Sequence, residues 1–211
     1  VPALFHFYIH YRENRIFHEV LLKPFTYLLV IMSTPMKTNH VIGIMLGAAG
    51  ILLIPLIAMQ FTSEVNWTMF DFVFAWVLLT GAGLSFTFVS NRSKSVVYKA
   101  AAGLTVFTAL FLIWANGAVG IIGNEDNPAN LLYGAVLATL FLGSIIAGLK
   151  ARPMSYVLYA AALVHALVPV AAFIIWRPSV TADLVKVFAV SSFFVVLWLG
   201  AGLLFRRAGM D

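Results

Sequence analysis

Apolar residues in this chain come in long continuous runs separated by short polar gaps. They do not alternate, as the strands of a membrane barrel would, and the runs exceed the stripe of a surface helix. A helix rises about 1.5 Å per residue and the hydrocarbon core is about 30 Å thick, so a crossing needs about 20 mostly apolar residues. Six stretches meet that length: residues 41–61, 70–90, 96–122, 131–149, 156–176 and 184–205. The pattern predicts an all-α, polytopic membrane helix bundle with six transmembrane helices.

Composition narrows the class. Of 211 residues, 62% are apolar and 10% are charged, against about 45–50% and about 25% in ordinary soluble domains. Soluble globular, disordered and nucleic-acid-binding readings are thereby excluded. The net charge of +5 is spread over short gaps rather than gathered in a patch. There is no cysteine, hence no disulfide, thiol nucleophile or thiolate-held metal.

The gaps carry the orientation. One set holds Lys37, Arg92, Lys94, Lys99, Lys150, Arg152, Arg206 and Arg207 with a single acid, Asp211. The other holds Glu64, Asp71, Glu125, Asp126 and Asp183 with only Arg177 and Lys186. This asymmetry alternates with each crossing, as the positive-inside rule expects, and puts both ends of the unit starting at Met36 in the cytoplasm. Trp67, Trp114 and Trp176 fall near the outer span ends, where amphipathic rings favour the interface. Trp76 and Trp198 lie deeper and read as packing residues. The spans also suggest three helical hairpins. Ser95-Val-Val-Tyr-Lys-Ala-Ala-Ala opens the third span, and Ser155-Tyr-Val-Leu-Tyr-Ala-Ala-Ala opens the fifth. A common origin and a shared interface requirement both account for that likeness.

Residues 1–35 depart from the scheme. The apolar run after Ile16 contains His18, Glu19, Lys23 and Pro24. A Lys at a helix centre costs about 2.5 to 3.5 kcal/mol on the insertion scale, so this is a poor span. It reads either as an interfacial segment or as an over-extended reading frame or remnant of a neighbouring gene, with Met36 as the start. The organisation expected is a leader over 1–35 and a six-helix domain over 36–211.

Two resemblances follow from particular residues. Met59-Gln-Phe-Thr-Ser-Glu-Val-Asn-Trp67 and Trp114-Ala-Asn-Gly-Ala-Val-Gly-Ile-Ile-Gly-Asn-Glu-Asp-Asn-Pro-Ala-Asn130 resemble motifs of a family of small bacterial inner-membrane proteins of unknown function. That resemblance spans most of 36–211 and implies a location in the bacterial inner membrane, but no activity. Lys23-Pro-Phe-Thr-Tyr-Leu-Leu29 is similar to the start of the second helix of lysoplasmalogenase-type membrane hydrolases. That family continues with Gly-Asp pairs and acids inside its helices. This chain has neither a Gly-Asp pair nor a mid-span acid, so the hydrolase activity is not carried over.

Candidate chemistry is sparse. Gly123-Asn-Glu-Asp-Asn-Pro-Ala-Asn130, between spans three and four, offers two carboxylates and three amides. Hard cations take six to eight oxygens. Glu125, Asp126, Asn124, Asn127 and Asn130 could supply some of these, and Glu64 one more, although no EF-hand spacing occurs. The structural alternative is a helix start, with Asn127 as cap, Pro128 in the first position and acids at the positive helix end. Either way Trp114, Asn116, Glu125 and Asp126 should meet at the outer face. Asn116 needs a partner within the membrane, an interhelical hydrogen bond or a ligand. His165 is the titratable side chain deepest in a span, about 15 Å in by helix rise. Intramembrane ionisable groups are functional candidates, but a neutral His bonded to a neighbour is equally a core residue.

Small residues at Gly43 and Gly47, Gly81 and Ser85, Gly143 and Ala147, and Gly200 to Gly202 are expected to let helices approach closely. Pro55 and Pro169 should bend their helices. No nucleotide-binding motif is present. The expected function is a non-enzymatic accessory, scaffold or small binding protein, in contact with the bilayer and with another membrane protein, whose acidic loop faces outward. The alternative is a small transporter or intramembrane enzyme using His165 with Glu125 and Asp126. No cofactor or metal is specified by these residues.

Overall fold

The computed structural model of the chain describes residues 38–176 and 182–210. The expectations for residues 1–35, Lys37, Arg177 and the side chains of Trp176 and Asp183 lie outside the described residues. Among those described, helices alone form the regular structure, and six of them are long and apolar enough to cross a membrane.

The first span is two helices in line, α1 (Thr38–Ile51) and α2 (Leu53–Phe61). Pro55 explains the break: it has no N–H to give the Ile51 carbonyl four residues earlier. The second span is α3 (Met69–Ser90). Thr68 and Asp71 start it with a capping box, the Asp71 carboxylate accepting from the Thr68 N–H at 2.7 Å. The third is α4 (Val96–Ala118), capped by Ser95. A 3₁₀ turn (Pro128–Tyr133) leads into α5 (Gly134–Ala147), and the two form the fourth span. The fifth is α6 (Ala151–Trp176) and the sixth α7 (Ala182–Ala208). Pro169 lies inside α6, which continues through it, leaving the His165 carbonyl without its helical donor.

The third span ends four residues earlier than its apolar run. Gly120 sits at φ +66°, a left-handed conformation, and a Cβ there would collide with the Asn124 carbonyl. Ile121 is apolar because it is buried beneath the turn, not because it continues the helix.

Packing centres on α4, α5, α6 and α7. Tyr98, Leu112, Tyr133, Leu158, Trp198 and Phe205 are almost wholly buried in this core. Gly143 brings α5 onto α6: a Cβ there would stand 2.5 Å from Val157 Cγ1. Gly202 does the same for α7 on α6, 2.6 Å from the Tyr159 ring. In the bilayer such close approach is a main source of helix association, because lipid is as apolar as the side chains. α3 packs on α4, and α1 on α3. The first and last sequence pairs therefore lie side by side. In the middle pair, α4 packs chiefly on α7 and α5 on α6, and a groove runs between α4 and α5.

Not every small residue serves packing. Gly43, Gly47 and Gly81 have nothing within 4 Å of where a Cβ would stand. The close contact between the first two spans is instead Gly83 against Ile44. Trp76, expected to pack, also donates from Nε1 to the Met45 carbonyl at 3.1 Å and ties α3 to α1.

Candidate functional site

The antiparallel helices gather the charges at two ends. Arg92, Lys94, Lys99, Lys150, Arg152, Arg206 and Arg207 are exposed at one, while Glu64, Glu125 and Asp126 are exposed at the other.

At the acidic end, the turn between α4 and α5 is organised by Asn130. Its Oδ1 accepts from the N–H groups of Ile121 and Ile122 at 3.1 and 2.9 Å. Its Nδ2 donates to the carbonyls of Ile122 and Asn124 at 3.3 and 2.7 Å. A buried amide with both ends satisfied is a structural element. Asn127 caps the 3₁₀ turn, accepting from the Ala129 N–H at 3.0 Å, with Pro128 directly after it. The helix-start reading of both residues is what the structure contains. The Asn124 carbonyl already takes hydrogen bonds from Asn130 and from the Asn127 N–H, so it is poorly placed to serve a cation. Among the described residues, no three His, Asp or Glu side chains come together as a metal site. Glu125 and Asp126 project from the stitched turn as exposed carboxylates.

Beside the turn is a cleft of about 280 Å³ lined by Trp67, Asp71, Phe74, Trp114 and Gly117. The Trp67 ring lies 5.6 Å from that of Trp114 and 5.3 Å from that of Phe72. Trp114 thus joins the loop between α2 and α3 to the end of α4. The sequence placed Trp114 at this face, but the partnership with Trp67 and the part played by Asp71 were missed. Glu64 is three residues from Trp67 and exposed. Asn116 does not reach across to another helix. Its Nδ2 donates to the Leu112 carbonyl of its own helix at 2.9 Å, and its Oδ1 is buried without a partner. Interhelical bonding was the expectation; a one-turn bond within α4 satisfies only the donor side of the amide.

His165 is in the core, fully buried. Its Nδ1 accepts from Trp198 Nε1 at 3.3 Å. A neutral ring bonded this way carries its proton on Nε2, and Nε2 has no partner. The ring stacks on Phe194 at 5.3 Å and lies 4.9 Å from the Tyr133 ring. The Tyr133 and Ser191 hydroxyls share a 2.8 Å hydrogen bond alongside. Trp198, Tyr133 and Ser191 were invisible as partners because each is more than 25 residues from His165 in sequence. The cluster lies apart from Glu125 and Asp126, which are on the exposed turn.

The molecule therefore presents two constellations: an acidic, aromatic cleft at one end and an enclosed aromatic and hydroxyl cluster around a single His. No protein-family model, no curated protein and no solved structure matches the chain.

Proposed function

We propose that this multi-pass protein sits in the bacterial inner membrane and binds rather than catalyses. In this reading it is an accessory or scaffold protein whose acidic end faces outward and receives a cationic segment of a membrane partner. The observation that carries the reading is the cleft lined by Trp67 and Trp114, whose rings touch, with Asp71 in its wall. Aromatic faces attract a cation by about 0.5–1 kcal/mol when exposed and about 2 when desolvated. A carboxylate in the same wall, with Glu64, Glu125 and Asp126 nearby on the same end, adds charge that steers such a segment. The Asn130-stitched turn holds that face in place. The resemblance of the two quoted motifs to an inner-membrane family supports the location, as does the alternation of basic and acidic gaps.

The test is tryptophan emission of the purified protein titrated with an Arg-rich peptide at low salt. A saturable change is expected, absent with a peptide in which Gln replaces Arg, and lost in Trp114→Leu and in Asp71→Asn. No response from the wild type would overturn the reading.

One observation favours a second reading, a small transporter or intramembrane enzyme. It is the buried Nε2 of His165 without a partner. Its immediate neighbours are Trp198, Tyr133, Ser191 and Phe194, with no carboxylate among those contacts, so the binding reading has the stronger support.

A further inference from the structure

The groove between α4 and α5 encloses about 330 Å³ and belongs to neither constellation. It opens sideways toward lipid: Phe141 on its lip is 68% exposed. Its walls are almost wholly hydrocarbon. Two of the three hydroxyls that line it are turned back on their own helices, Thr105 donating to the Ala101 carbonyl at 2.8 Å and Ser144 to the Leu140 carbonyl at 2.6 Å; the third belongs to Ser85. Such walls suit an alkyl chain and offer little to a polar molecule.

The end of the groove is different. It closes at Leu149, whose carbonyl accepts from the Tyr98 hydroxyl at 2.6 Å, latching the α5–α6 turn to α4. Basic residues stand just beyond on α3, α4 and the α5–α6 turn, and Arg152 and Arg206 flank the lining residues Met154 and Phe205. Arg92 follows Phe88 and Val89 by one turn, and its guanidinium lies 4.7 Å over the Phe88 ring, itself a wall of the groove. Lys99 precedes Ala102 on the same face of α4. Lys150 directly follows Leu149. All three are exposed.

We propose that this groove holds one acyl chain of an anionic phospholipid from the leaflet at the basic end, with the lipid phosphate among Arg92, Lys99 and Lys150. A chain already in lipid gains no hydrophobic transfer energy on entering a protein groove. Retention must then come from dispersion in a shaped slot and from the headgroup charge. Basic pockets between transmembrane helices recognise anionic headgroups for this reason. The inference is independent of the acidic-end reading, because it uses other residues, at the opposite end of the molecule.

The test is native mass spectrometry of the full chain in mild detergent, offered equimolar phosphatidylglycerol and phosphatidylcholine with identical acyl chains. The wild type should retain phosphatidylglycerol over phosphatidylcholine by roughly fivefold or more, the factor expected for even one basic residue near an anionic headgroup. The surface variant Arg92→Gln/Lys99→Gln/Lys150→Gln should keep its fold and lower that ratio by roughly fivefold or more, although other basic residues of the same end remain. Ala109→Phe, which fills the groove, should lower retention of both lipids. Equal retention by the wild type would overturn the proposal. So would a preference undiminished by the triple substitution, or undiminished retention in folded Ala109→Phe, which would put the lipid elsewhere on the surface.

Discussion

Spans one and two and spans three to six are all apolar enough to cross a bilayer, but they are held differently. About 6% of the residues in each of the first two spans are buried within the protein, against 28–39% in the other four. Apolarity alone therefore did not draw the first pair into the core. The difference lies in small residues and polar links. α5, α6 and α7 meet through Gly143 and Gly202, where side chains of the neighbouring helix occupy the space a Cβ would need. The core is also threaded by Tyr98 to Leu149, Tyr133 to Ser191 and Trp198 to His165. Among the described residues, the outer pair has one deep glycine contact, Gly83 on Ile44, and one interhelical tie, Trp76 to Met45. Where water is absent, association follows backbone approach and hydrogen bonding, not the count of apolar residues.

That contrast can be broken most sharply at Asn130, which stitches the turn between the core helices α4 and α5. Asn130→Ala removes its four hydrogen bonds and strands buried backbone groups at about 1–3 kcal/mol each before rehydration. A loss of about 2–4 kcal/mol is expected in reversible unfolding in detergent. Unchanged stability would show that the turn does not depend on it. Next comes a matched pair. Gly143→Val should cost about 1–3 kcal/mol by overpacking against Val157, whereas Gly47→Val, which meets nothing, should stay within about 0.5 kcal/mol. Equal losses at the two glycines would erase the distinction between core and periphery.

The tie between α3 and α1 offers a finer probe. Trp76→Phe removes one interhelical hydrogen bond, worth about 0.6 kcal/mol on average in membranes. Its effect should be local. Hydrogen exchange should quicken in residues 38–61 and not in α6 or α7. Comparable in size is Glu125→Gln/Asp126→Asn, where only the charges of an exposed turn are lost, at about 0.3–1 kcal/mol. Melting of the wild type and of this variant should be alike with calcium and with chelator. A bound divalent ion at 100 times its dissociation constant would add about 2.7 kcal/mol, so a calcium-dependent shift in the wild type alone would restore the cation reading of the turn.

The sequence made the spans legible because twenty apolar residues in a row have few other destinations. Helix starts were legible where a side chain does the capping locally, as at Asn127 and Pro128. The end of the third span was not, because Ile121 and Ile122 look like more membrane until the backbone reversal at Gly120 is known. Spacing of small residues marked Gly143 and Gly43 alike. Which face of a helix meets a neighbour is a tertiary fact, and only Gly143 of the two meets one. At the candidate sites, Trp114 and His165 stood out as residue types in unusual places. Their partners Trp67 and Trp198 did not, since nothing local marks a contact made across 33 residues or more.

Binding at an outward acidic cleft requires the acidic and basic ends to lie on opposite sides of the membrane, with six crossings between them. The absence of cysteine makes this directly measurable. Ser93→Cys lies between α3 and α4 at the basic end, and Asn124→Cys is exposed on the acidic turn. In intact cells an impermeant thiol reagent should label Asn124→Cys and leave Ser93→Cys unmodified until the membrane is opened. Labelling of both from outside would contradict the six-span arrangement and, with it, the assignment of the acidic cleft to the outer face.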